Sequence, residues 1–484
     1  MRQYNKLSKM MSQSKSKQDI ERFLRNFYVN SAEIYKGRNV SGFIDWLPPG
    51  AMLRQKIIDS WINFFIKKIP NIFLMDGSTI LPLSVFEASG HLANFTDPVI
   101  KCPKCSNTYR VDHLLKETNG KLICPRDLTD LKDQEIKQKS LMLELTVGLA
   151  DEINAALRPE TAQNIYINFM NFKAIGLKLP FAIAQIGRSY RNEISPRGSR
   201  LREFVQMEIE EFVLPFHLNS HPLYDNVKGI RLPIFYEEQT IKMELNEAVK
   251  KGLVPNIRLA FWIGREWQWL TNELGLPGNK IRFRIVPSEE RAFYSKGTVD
   301  VEVNMEDDWV EIIGNAYRTD YDLTVHSKHS GANLSENGTI PHVIEPSFGL
   351  DRIAIAVLLL NYDPNPSDRN WPLFRIPYKI APLEIGIASI HHSDEYINIA
   401  EKVDLILRSL DYVTFKLFER GKIDAQYAKA DTLGIPLVIT IDSKTLEENT
   451  VTIRNRDTKA QIRVNIGEIA QAVKNLLLGG GGYG

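Results

Sequence analysis

The strongest constraint on the fold comes from residues 203–213, EFVQMEIEEFV, where polar and apolar side chains alternate with a period of two. Successive side chains of a β-strand point to opposite faces, so this pattern predicts a strand with one face on a core. The core face carries Val205, Met207 and Ile209, and the opposite face carries Phe204, Gln206, Glu208 and Glu210. The opposite face therefore presents one amide and two carboxylates beside an aromatic ring.

Residues 179–194, LPFAIAQIGRSYRNEI, predict a second strand directly before the first. An antiparallel pair joined by the loop SPRGSR would form a platform with both signs of charge on its open face. The earlier strand places Gln185, Ser189, Arg191 and Glu193 on one side, and the loop region adds Arg197, Arg200 and Arg202. A solvated face with salt bridges is the alternative interpretation of this pattern.

Length and composition limit the classes of protein to consider. The 484 residues suffice for two to four domains, and a net charge of +1 disfavours a generally basic coat for nucleic acid. No apolar stretch reaches the roughly 18 residues that span a bilayer, so we expect no membrane partner. Three cysteines favour a reducing compartment, and we expect a cytoplasmic location. Residues 1–18, which are basic, and 479–484 are interpreted as flexible tails.

The chain divides into two parts with different patterns. Residues 19–365 combine strand signals with flanking helices and predict a mainly antiparallel α+β domain. This part includes a cysteine-bearing insert at about 100–130 and a mostly helical insert at 216–285, to which the sequence assigns no chemistry. A linker at 361–377 is rich in Pro, Asn and Asp. Residues 375–478 then alternate strands with helices, as in a small α/β domain.

Arginine side chains are the candidates for holding a nucleotide, because the sequence contains neither a GxxxxGK[ST] nor a GxGxxG loop. The planar guanidinium binds phosphate oxygens in pairs and stays charged at any working pH. Arg352 stands in the first turn of the apolar helix GLDRIAIAVLLL, so we expect it to face a polar cavity at the helix N-terminus. A buried structural ion pair is the alternative for Arg352.

Carboxylates are expected around the same cavity. HVIEPS places Glu345 and Ser347 on one face before that helix, and LRPETAQ presents Arg158, Glu160 and Gln163 at the start of another helix. Buried carboxylates around one cavity repel each other unless a cation neutralises them. The sequence therefore points to an ammonium group or Mg²⁺ as part of what binds there.

The insert at 100–130 carries a candidate metal site. Cys102, Cys105 and Cys124 nearly match the ligand spacing of a zinc ribbon, with Asp127 where a fourth cysteine is expected. Three thiolates and one carboxylate can bind Zn²⁺. His113 is the alternative fourth ligand, and a metal-free lobe is the alternative to any zinc site.

Six ordered motifs give the chain a family resemblance. RNEISPR at 191–197 resembles motif 2 of the class II aminoacyl-tRNA synthetases, and EPSFGLDR at 345–352 resembles motif 3. The helix at 50–69 and the strand ending near Pro82 take the place of motif 1, the dimer motif. With LRPETAQ, MEIE, WVEIIG and YDL, and with EASGH and DHLLK, the chain resembles the homodimeric glycyl-tRNA synthetases of archaea and eukaryotes. The resemblance implies the class II antiparallel sheet with flanking helices.

The resemblance also implies an ATP site that includes Mg²⁺. Arg191 and Glu193 are similar to the motif 2 residues at the α-phosphate and the adenine, and Phe204 is similar to the ring that stacks on adenine. Arg352 is similar to the motif 3 arginine at the γ-phosphate, and Glu311 to a carboxylate near ATP and Mg²⁺. Asp351 departs from the family pattern, and pairing with Arg352 is its expected role. Further ATP contacts in this match are Asn192, Arg200, Leu201 and Ile312.

For the amino acid, the resemblance implies that Glu160, Glu208 and Glu345 receive the glycine ammonium. Pro346 and Ser347 lie beside them in this match, and Arg318 is similar to a nearby arginine of the family. Selectivity would come from leaving no room for a Cβ, so no editing site is required. The implied reaction activates glycine with ATP to glycyl-adenylate and transfers it to the 3′ end of tRNA(Gly), with a homodimer as the assembly.

The last domain resembles the anticodon-binding domain shared by the glycyl, histidyl, prolyl and threonyl synthetases. In IRNRDTKAQ at 453–461, Arg454, Arg456 and Lys459 are expected to meet RNA, and a solvated edge strand is the alternative. Two other functions compete with glycine–tRNA ligation. These are a non-catalytic, synthetase-like accessory subunit that binds nucleic acid, and a synthetase of the prolyl or threonyl type.

Overall fold

The computed structural model describes residues 18–35, 40–194, 200–305, 308–418 and 422–479. Both predicted tails, apart from residues 18 and 479, and the loop residue Arg197 lie outside these ranges. The strands in chain order are β1 Tyr28–Asn30, β2 Ile44–Trp46, β3 Ile72–Met75, β4 Ile80–Pro82, β5 Thr96–Lys101, β6 Thr108–Arg110, β7 Lys137–Ser140, β8 Leu143–Val147, β9 Ile153–Leu157, β10 Phe181–Tyr190, β11 Glu203–Val213, β12 Arg231–Tyr236, β13 Gln239–Glu244, β14 Ile281–Ile285, β15 Gly297–Met305, β16 Asp308–Thr319, β17 His342–Gly349, β18 Tyr362–Asp363, β19 Leu373–Phe374, β20 Ile385–Ser389, β21 Thr414–Lys416, β22 Leu437–Ile441, β23 Thr450–Asn455 and β24 Gln461–Asn465.

The helices are listed here in the same way. They are α1 18–24, α2 Pro48–Trp61, α3 Leu83–Ala88, α4 His91–Asn94, α5 Val111–Glu117, α6 Ala162–Ile167, α7 Phe169–Ala174, α8 Leu245–Lys250, α9 Ile257–Gln268, α10 Tyr321–Ser330, α11 Leu350–Leu360, α12 Asp394–Arg408, α13 Ile423–Thr432, α14 Ser443–Glu448 and α15 Ile469–Gly479. Among the described residues, no helix combines the length and the apolar character needed to cross a membrane.

A nine-stranded sheet forms the centre of the larger part of the chain, in the order β13-β12-β14-β15-β16-β17-β11-β10-β3. Only the β12–β14 and β10–β3 pairs are parallel, so the mainly antiparallel α+β class is confirmed. β10 and β11 pair antiparallel from Phe181 opposite Phe212 to Tyr190 opposite Glu203, which confirms the predicted platform.

The two faces of β11 differ as the period-two pattern predicts. Met207 and Ile209 are buried in the main apolar core, which includes residues of α2, α9 and α11. Gln206, Glu208 and Glu210 are also buried, with Glu208 only 1% exposed. The polar face is therefore enclosed by other parts of the protein, and the interpretation as a solvated, salt-bridged face is wrong.

The structure departs from the predicted elements in the region 216–285 and agrees with them at Pro82. The region 216–285 contains β12, β13 and β14 beside its helices, and these strands extend the large sheet. The β12–β13 hairpin turns at Glu237 and Glu238 with φ of 49° and 61°, where sequence signals expect Gly or Asn. The strand that the sequence predicts to end near Pro82 is confirmed as β4, which ends at Pro82, and Leu83 begins α3. Proline cannot donate to the next ladder bond, so the strand stops there.

The C-terminal sheet has the order β21-β20-β22-β23-β24. The first three strands are parallel and the last two pair antiparallel, with their own apolar core from Ile385 to Val473. The predicted alternation of strands and helices is confirmed, with the addition of α14. This short helix begins at a capping box in which Asp442 and Thr445 satisfy each other's backbone N–H groups.

Arg454 and Arg456 were expected to meet RNA, and the structure contradicts this expectation because they are only 3% and 1% exposed. β23 lies between β22 and β24, so it is not an edge strand. Arg454 donates to Asp431 at 2.9 and 3.0 Å, and Asp431 also accepts from Arg369 at 2.6 Å and from Trp371 at 2.9 Å. The buried charges thus have partners, as their burial requires.

These contacts fasten the linker at 361–377 to the C-terminal sheet. Arg456 donates to the carbonyl oxygens of Gly434 at 2.9 Å and of Ile376 at 2.8 Å. Lys459 Nζ donates to the carbonyl oxygen of Asp368 at 2.7 Å, and its side chain remains 43% exposed. Lys459 is therefore the one residue of this predicted trio with substantial exposure.

Candidate active site

A cavity of about 570 Å³ opens on the polar face of the large sheet, beside the N-terminus of α11. Most residues that the sequence assigned to ATP or to the amino acid border it, although Asn192 and Pro346 do not. The backbone N–H of Asn192 donates to Leu141 O, and Pro346 is buried within β17. The bordering residues of the predicted set are Glu160, Arg191, Glu193, Arg200, Leu201, Phe204, Glu208, Glu311, Ile312, Glu345, Ser347 and Arg352.

Arg318, near the end of β16, binds the carboxylates behind the cavity and is fully buried. Its guanidinium donates to both oxygens of Glu345 at 3.0 Å and to Asp322 at 2.7 and 2.9 Å, and it lies 3.6 Å from Glu160. The ring of Tyr294 lies 3.7 Å from it, centroid to Cζ. Burial alone would lower the pKa of Arg318, but the charges of Asp322 and Glu345 raise it by more than burial lowers it. The guanidinium therefore stays charged.

Glu208 joins the platform strand to β17. Its Oε1 accepts from Ser347 Oγ at 2.7 Å and from Gln206 Nε2 at 2.6 Å, and its Oε2 accepts from the Thr161 hydroxyl. The strands bring these side chains together because Glu208 stands opposite Ser347 in the β11–β17 ladder. One wall of the cavity thus carries a carboxylate with a fixed orientation.

The three glutamates differ in how readily they ionise. Burial raises the pKa of Glu345 to about 8, against the lowering effect of Arg318. Burial also raises the pKa of Glu208, and the charge of Glu160 adds to this shift. Burial would raise the pKa of Glu160 too, but His91 at 3.5 Å and Arg318 together hold it well below its usual range. The site is therefore richer in carboxyl groups than in cations.

The outer part of the cavity carries cations and aromatic rings. Arg191 Nε donates to Pro159 O at 3.2 Å, and its Cζ lies 5.2 Å from the ring centroid of Phe204. Arg352 Nη1 donates to Glu311 O at 2.8 Å and lies 3.5 Å from Glu311 Oε2. As expected, Arg352 faces a polar cavity at a helix N-terminus. Such an arrangement suits a phosphate chain.

Asp351 does not pair with Arg352, which corrects the expectation from the sequence. Its Oδ2 accepts from the backbone N–H of Val205 at 2.7 Å, and its Oδ1 accepts from Trp46 Nε1 at 2.9 Å. Arg54 lies 3.3 Å away and neutralises it. Asp351 thus ties the start of α11 to the platform strand and to α2, which leaves Arg352 directed into the cavity.

Two carboxylates that could hold Mg²⁺ border the cavity together with Arg352. Glu311 on β16 and Asp300 on β15 both border the cavity. Burial raises the pKa of Asp300, and the charge of Glu311 raises it further, so a cation between them would relieve their repulsion. Carboxylate oxygens are ligands that Mg²⁺ prefers.

The cysteine-bearing lobe brings its four candidate ligands together. One ligand atom from each of Cys102, Cys105, Cys124 and Asp127 lies within 4.8 Å of all the others. The Cys105 and Cys124 sulfurs are 3.6 Å apart, and Cys102 Sγ is 3.6 Å from Asp127 Oδ2. A tetrahedral Zn²⁺ with Zn–S bonds of about 2.3 Å needs ligand separations of about 3.5–3.8 Å. The residues therefore fit Zn²⁺.

His113, the alternative fourth ligand, lies elsewhere. Its Nε2 is 3.1 Å from Arg200 Nη1, and Arg200 also approaches Glu193 at 3.8 Å. The same lobe sends Arg110 from β6 to the cavity, where Asp97 and Asp112 bind it at 3.1 and 2.7 Å. The lobe is thus joined to the candidate active site as well as to its own cysteine cluster.

Several site residues carry no sequence signal that assigns them a role. His91 is buried beside Glu160, and the resemblance of EASGH gave its position without a function. Arg291 and Tyr294 reach the cavity from an irregular segment with no periodic pattern. Asp300 could have been found, since TVDVEV alternates with a period of two and Asp300 falls on its polar face.

Comparison with known proteins identifies the family. Residues 380–476 match the family model described as an anticodon binding domain. The glycine–tRNA ligase of Pyrococcus furiosus is 34% identical, with 94% of this chain and 97% of that protein covered. That of Methanothermobacter thermautotrophicus is 32% identical over 93% and 97%, and that of Archaeoglobus fulgidus is 33% identical over 94% and 95%. With its cavity, its sheet and its C-terminal domain, this chain belongs to the glycine–tRNA ligase family of class II aminoacyl-tRNA synthetases.

Proposed function

We propose that the protein activates glycine with ATP to glycyl-adenylate and transfers the glycyl group to the 3′ end of tRNA(Gly). The observation that carries this proposal is the burial of Glu160, Glu208 and Glu345 around one end of the cavity. Two of these carboxyl groups have raised pKa values, so the site calls for a small cation. The glycine ammonium supplies that charge.

Glycine offers no side chain to grip, so its affinity must come from its charged ends. Exclusion of a larger amino acid then depends on contact around the α-carbon, where Ser347 and Gln206 approach each other at 3.2 Å. Exclusion by size is stronger than preference for an added methylene group, so this pocket needs no editing site.

Arginines at the outer end of the cavity are suited to the triphosphate of ATP. We assign Arg191 to the α-phosphate and Arg352 to the γ-phosphate, with Phe204 against the adenine and Glu193 at its edge. Glu311 and Asp300 would hold Mg²⁺, which neutralises triphosphate charge when bound. The arginines that border the cavity are Arg110, Arg191, Arg200, Arg291 and Arg352.

The first step forms a bond between a glycine carboxylate oxygen and the α-phosphorus and releases diphosphate. The nucleophile is already an anion, so no side chain needs to remove a proton from it. Arg191 would neutralise charge at the α-phosphorus while the carboxylates hold the ammonium, so positioning and electrostatic stabilisation account for the rate. In the second step, a terminal ribose hydroxyl of the tRNA takes the glycyl group and AMP leaves.

We further propose a structural Zn²⁺ bound by Cys102, Cys105, Cys124 and Asp127. Its support is the grouping of the four ligand atoms within 4.8 Å of one another. A bound ion would fix the lobe that also directs Arg110 toward the cavity, so it would stabilise the site without taking part in the reaction.

We also propose that the protein is a homodimer that pairs through the β3 side of the large sheet. β3 is an edge strand, and its Phe73 and Leu74 are 43% and 49% exposed. Ile80 and Ile153, on the neighbouring β4–β9 sheet, are 43% and 54% exposed. An apolar edge strand requires cover, and a second copy of the same surface would supply it.

The function predicts that Arg352→Ala abolishes glycine-dependent exchange of pyrophosphate into ATP. Loss of one preorganised cation costs a factor of roughly 10² to 10³ in rate. Arg231→Ala is the matched control, since Arg231 lies in the same sheet away from the cavity with its side chain 60% exposed. Exchange with alanine, proline or threonine in place of glycine would contradict the proposal, as would no exchange with any amino acid.

The raised pKa of Glu345 predicts how glycine binding depends on pH. At pH values below its pKa of about 8, the Glu345 carboxyl holds a proton that the glycine ammonium must displace. The KM for glycine should therefore fall as pH rises from 6 toward 8. One displaced proton gives at most about tenfold per pH unit. Pyrophosphate exchange at varied pH measures this slope.

Glu345→Gln should raise the KM roughly tenfold to a hundredfold and flatten the slope, because it removes a charged hydrogen-bond partner. Glu302→Gln is the control, since Glu302 pairs with Arg282 at 2.6 Å and does not border the cavity. A KM that is constant between pH 6 and 8 in the unmodified protein contradicts this account of the pocket.

The metal site predicts about one zinc ion per chain in purified protein, measured by plasma mass spectrometry. Cys124→Ser should lose the ion, because it removes a thiolate ligand. His113→Ala should keep it, because His113 contacts Arg200 instead. Retention of zinc in the Cys124 variant together with its loss in the His113 variant would show that the ligand set is wrong.

The dimer surface predicts that Phe73→Glu with Leu74→Glu halves the mass measured by analytical ultracentrifugation. Two carboxylates on each copy would then be buried against an apolar surface. The free-energy cost of burying these charges would exceed the free energy that the contact provides. Phe216→Glu is the control, since Phe216 is 73% exposed and lies far along the chain from β3. An unchanged dimer in the double variant would place the interface elsewhere.

A further inference from the structure

Glu266 is a fully buried acid for which the proposed reaction has no use. It stands on α9, on the side of the large sheet away from the cavity, and it is 0% exposed. Among the described residues, its side chain makes one hydrogen bond, which Oε2 accepts from Asn315 Nδ2 at 2.9 Å. Asn315 is also 0% exposed and stands on β16 between Gly314 and Ala316, and all three residues border the cavity.

Two oxygen atoms of this pair have no partner among the described residues. These are Glu266 Oε1 and Asn315 Oδ1, and both are buried from solvent. Each is an acceptor if the glutamate is ionised, and a buried acceptor without a donor costs about 1–3 kcal/mol. One proton on Oε1 satisfies both atoms, because a carboxylic acid and an amide can exchange two hydrogen bonds in a closed pair.

No cation lies beside Glu266 in the described parts of the chain, since its only contact with another polar side chain is the Asn315 amide. Burial raises the pKa of Glu266 to about 8, which agrees with a retained proton. The charged groups of the elements packed against α9 are engaged elsewhere: Glu211 with Arg258, Glu345 with Arg318, Glu247 with Lys251, Asp225 with Lys228, Glu273 with Lys379, and Arg265 over the Phe64 ring.

We propose that Glu266 is a positioning residue that stays protonated at neutral pH and donates to Asn315 Oδ1, so that a closed acid–amide pair fixes the floor of the cavity. Asn315 stands opposite Pro346 in the β16–β17 ladder, and Pro346 lies between Glu345 and Ser347 on β17. A fixed Asn315 therefore fixes the strand that carries two of the groups assigned to glycine. Loss of the proton leaves a buried anion beside an amide oxygen, which pushes α9 and β16 apart.

The proton is tested by comparing the unmodified protein with Glu266→Gln, whose amide reproduces both hydrogen bonds without a titrating group. The stability that the acid contributes is complete below its ordinary pKa of 4.5 and is lost as pH rises to about 8. The denaturation midpoint of the unmodified protein should therefore fall relative to the variant across this interval. Parallel curves for the two proteins would overturn the proposal.

Infrared difference spectroscopy gives a readout that does not depend on activity. At pH 7, the spectrum of the unmodified protein minus that of Glu266→Gln should contain the carbonyl stretch of a protonated carboxylic acid. A carboxylate band in its place would show that Glu266 is ionised and would overturn the proposal even if the protein folds and reacts normally.

The positioning role rests on the proposed function and is tested by glycine-dependent pyrophosphate exchange. Glu266→Gln should keep the KM for glycine within about twofold, whereas Glu266→Leu should lose about tenfold to a hundredfold in kcat/KM, the cost of misplacing groups by about 1 Å. Equal loss in both variants would contradict the closed pair. Absence of exchange in the unmodified protein would instead contradict the proposed function and leave the infrared result to decide on the proton.

Discussion

The buried guanidinium of Arg318 is the interaction on which the closed end of the cavity depends. It contacts Glu160, Asp322 and Glu345, which come from three separate parts of the chain. One cation among three carboxylates leaves an excess of negative charge, which burial converts into raised pKa values at Glu345 and Glu208. The protein thus keeps a site that is incomplete without a further cation. A fully neutralised cluster would be more stable, but it would have no affinity for an ammonium group.

The opposite end of the cavity depends on the register of the sheet. The β10–β11 pair presents Arg191 and Phe204, and the N-terminus of α11 presents Arg352. Asp351 joins these two elements through Val205, and the pairing of β11 with β17 next to it holds them in a fixed register. A substrate with an ammonium group and a second substrate with a triphosphate can therefore meet in a cavity whose charge changes sign along its length.

Much of the platform was predictable from the sequence, because period-two alternation in β11 fixes which side chains share a face. The orientation of Arg352 toward a polar cavity was predictable because it is the lone arginine of an apolar helix. The role of Asp351 was not predictable, since its partners Trp46, Arg54 and Val205 lie far away in the sequence. The same limit applies to Arg454 and Arg456, because their burial depends on contacts with Asp431 on α13 and with the carbonyl oxygens of Gly434 and Ile376, which lie elsewhere in the sequence. The strands within 216–285 escaped detection because their turn lacks glycine and asparagine.

In our proposal, the closed end of the cavity recognises an ammonium group through carboxylates whose combined negative charge Arg318 balances only in part. Competition against glycine in pyrophosphate exchange tests it most directly, with glycolate and glycinamide as the competitors. Glycolate has a hydroxyl in place of the ammonium, whereas glycinamide keeps the ammonium and replaces the carboxylate by an amide. We expect inhibition by glycinamide and none by glycolate at equal concentration. Inhibition by glycolate that equals or exceeds that by glycinamide would contradict it.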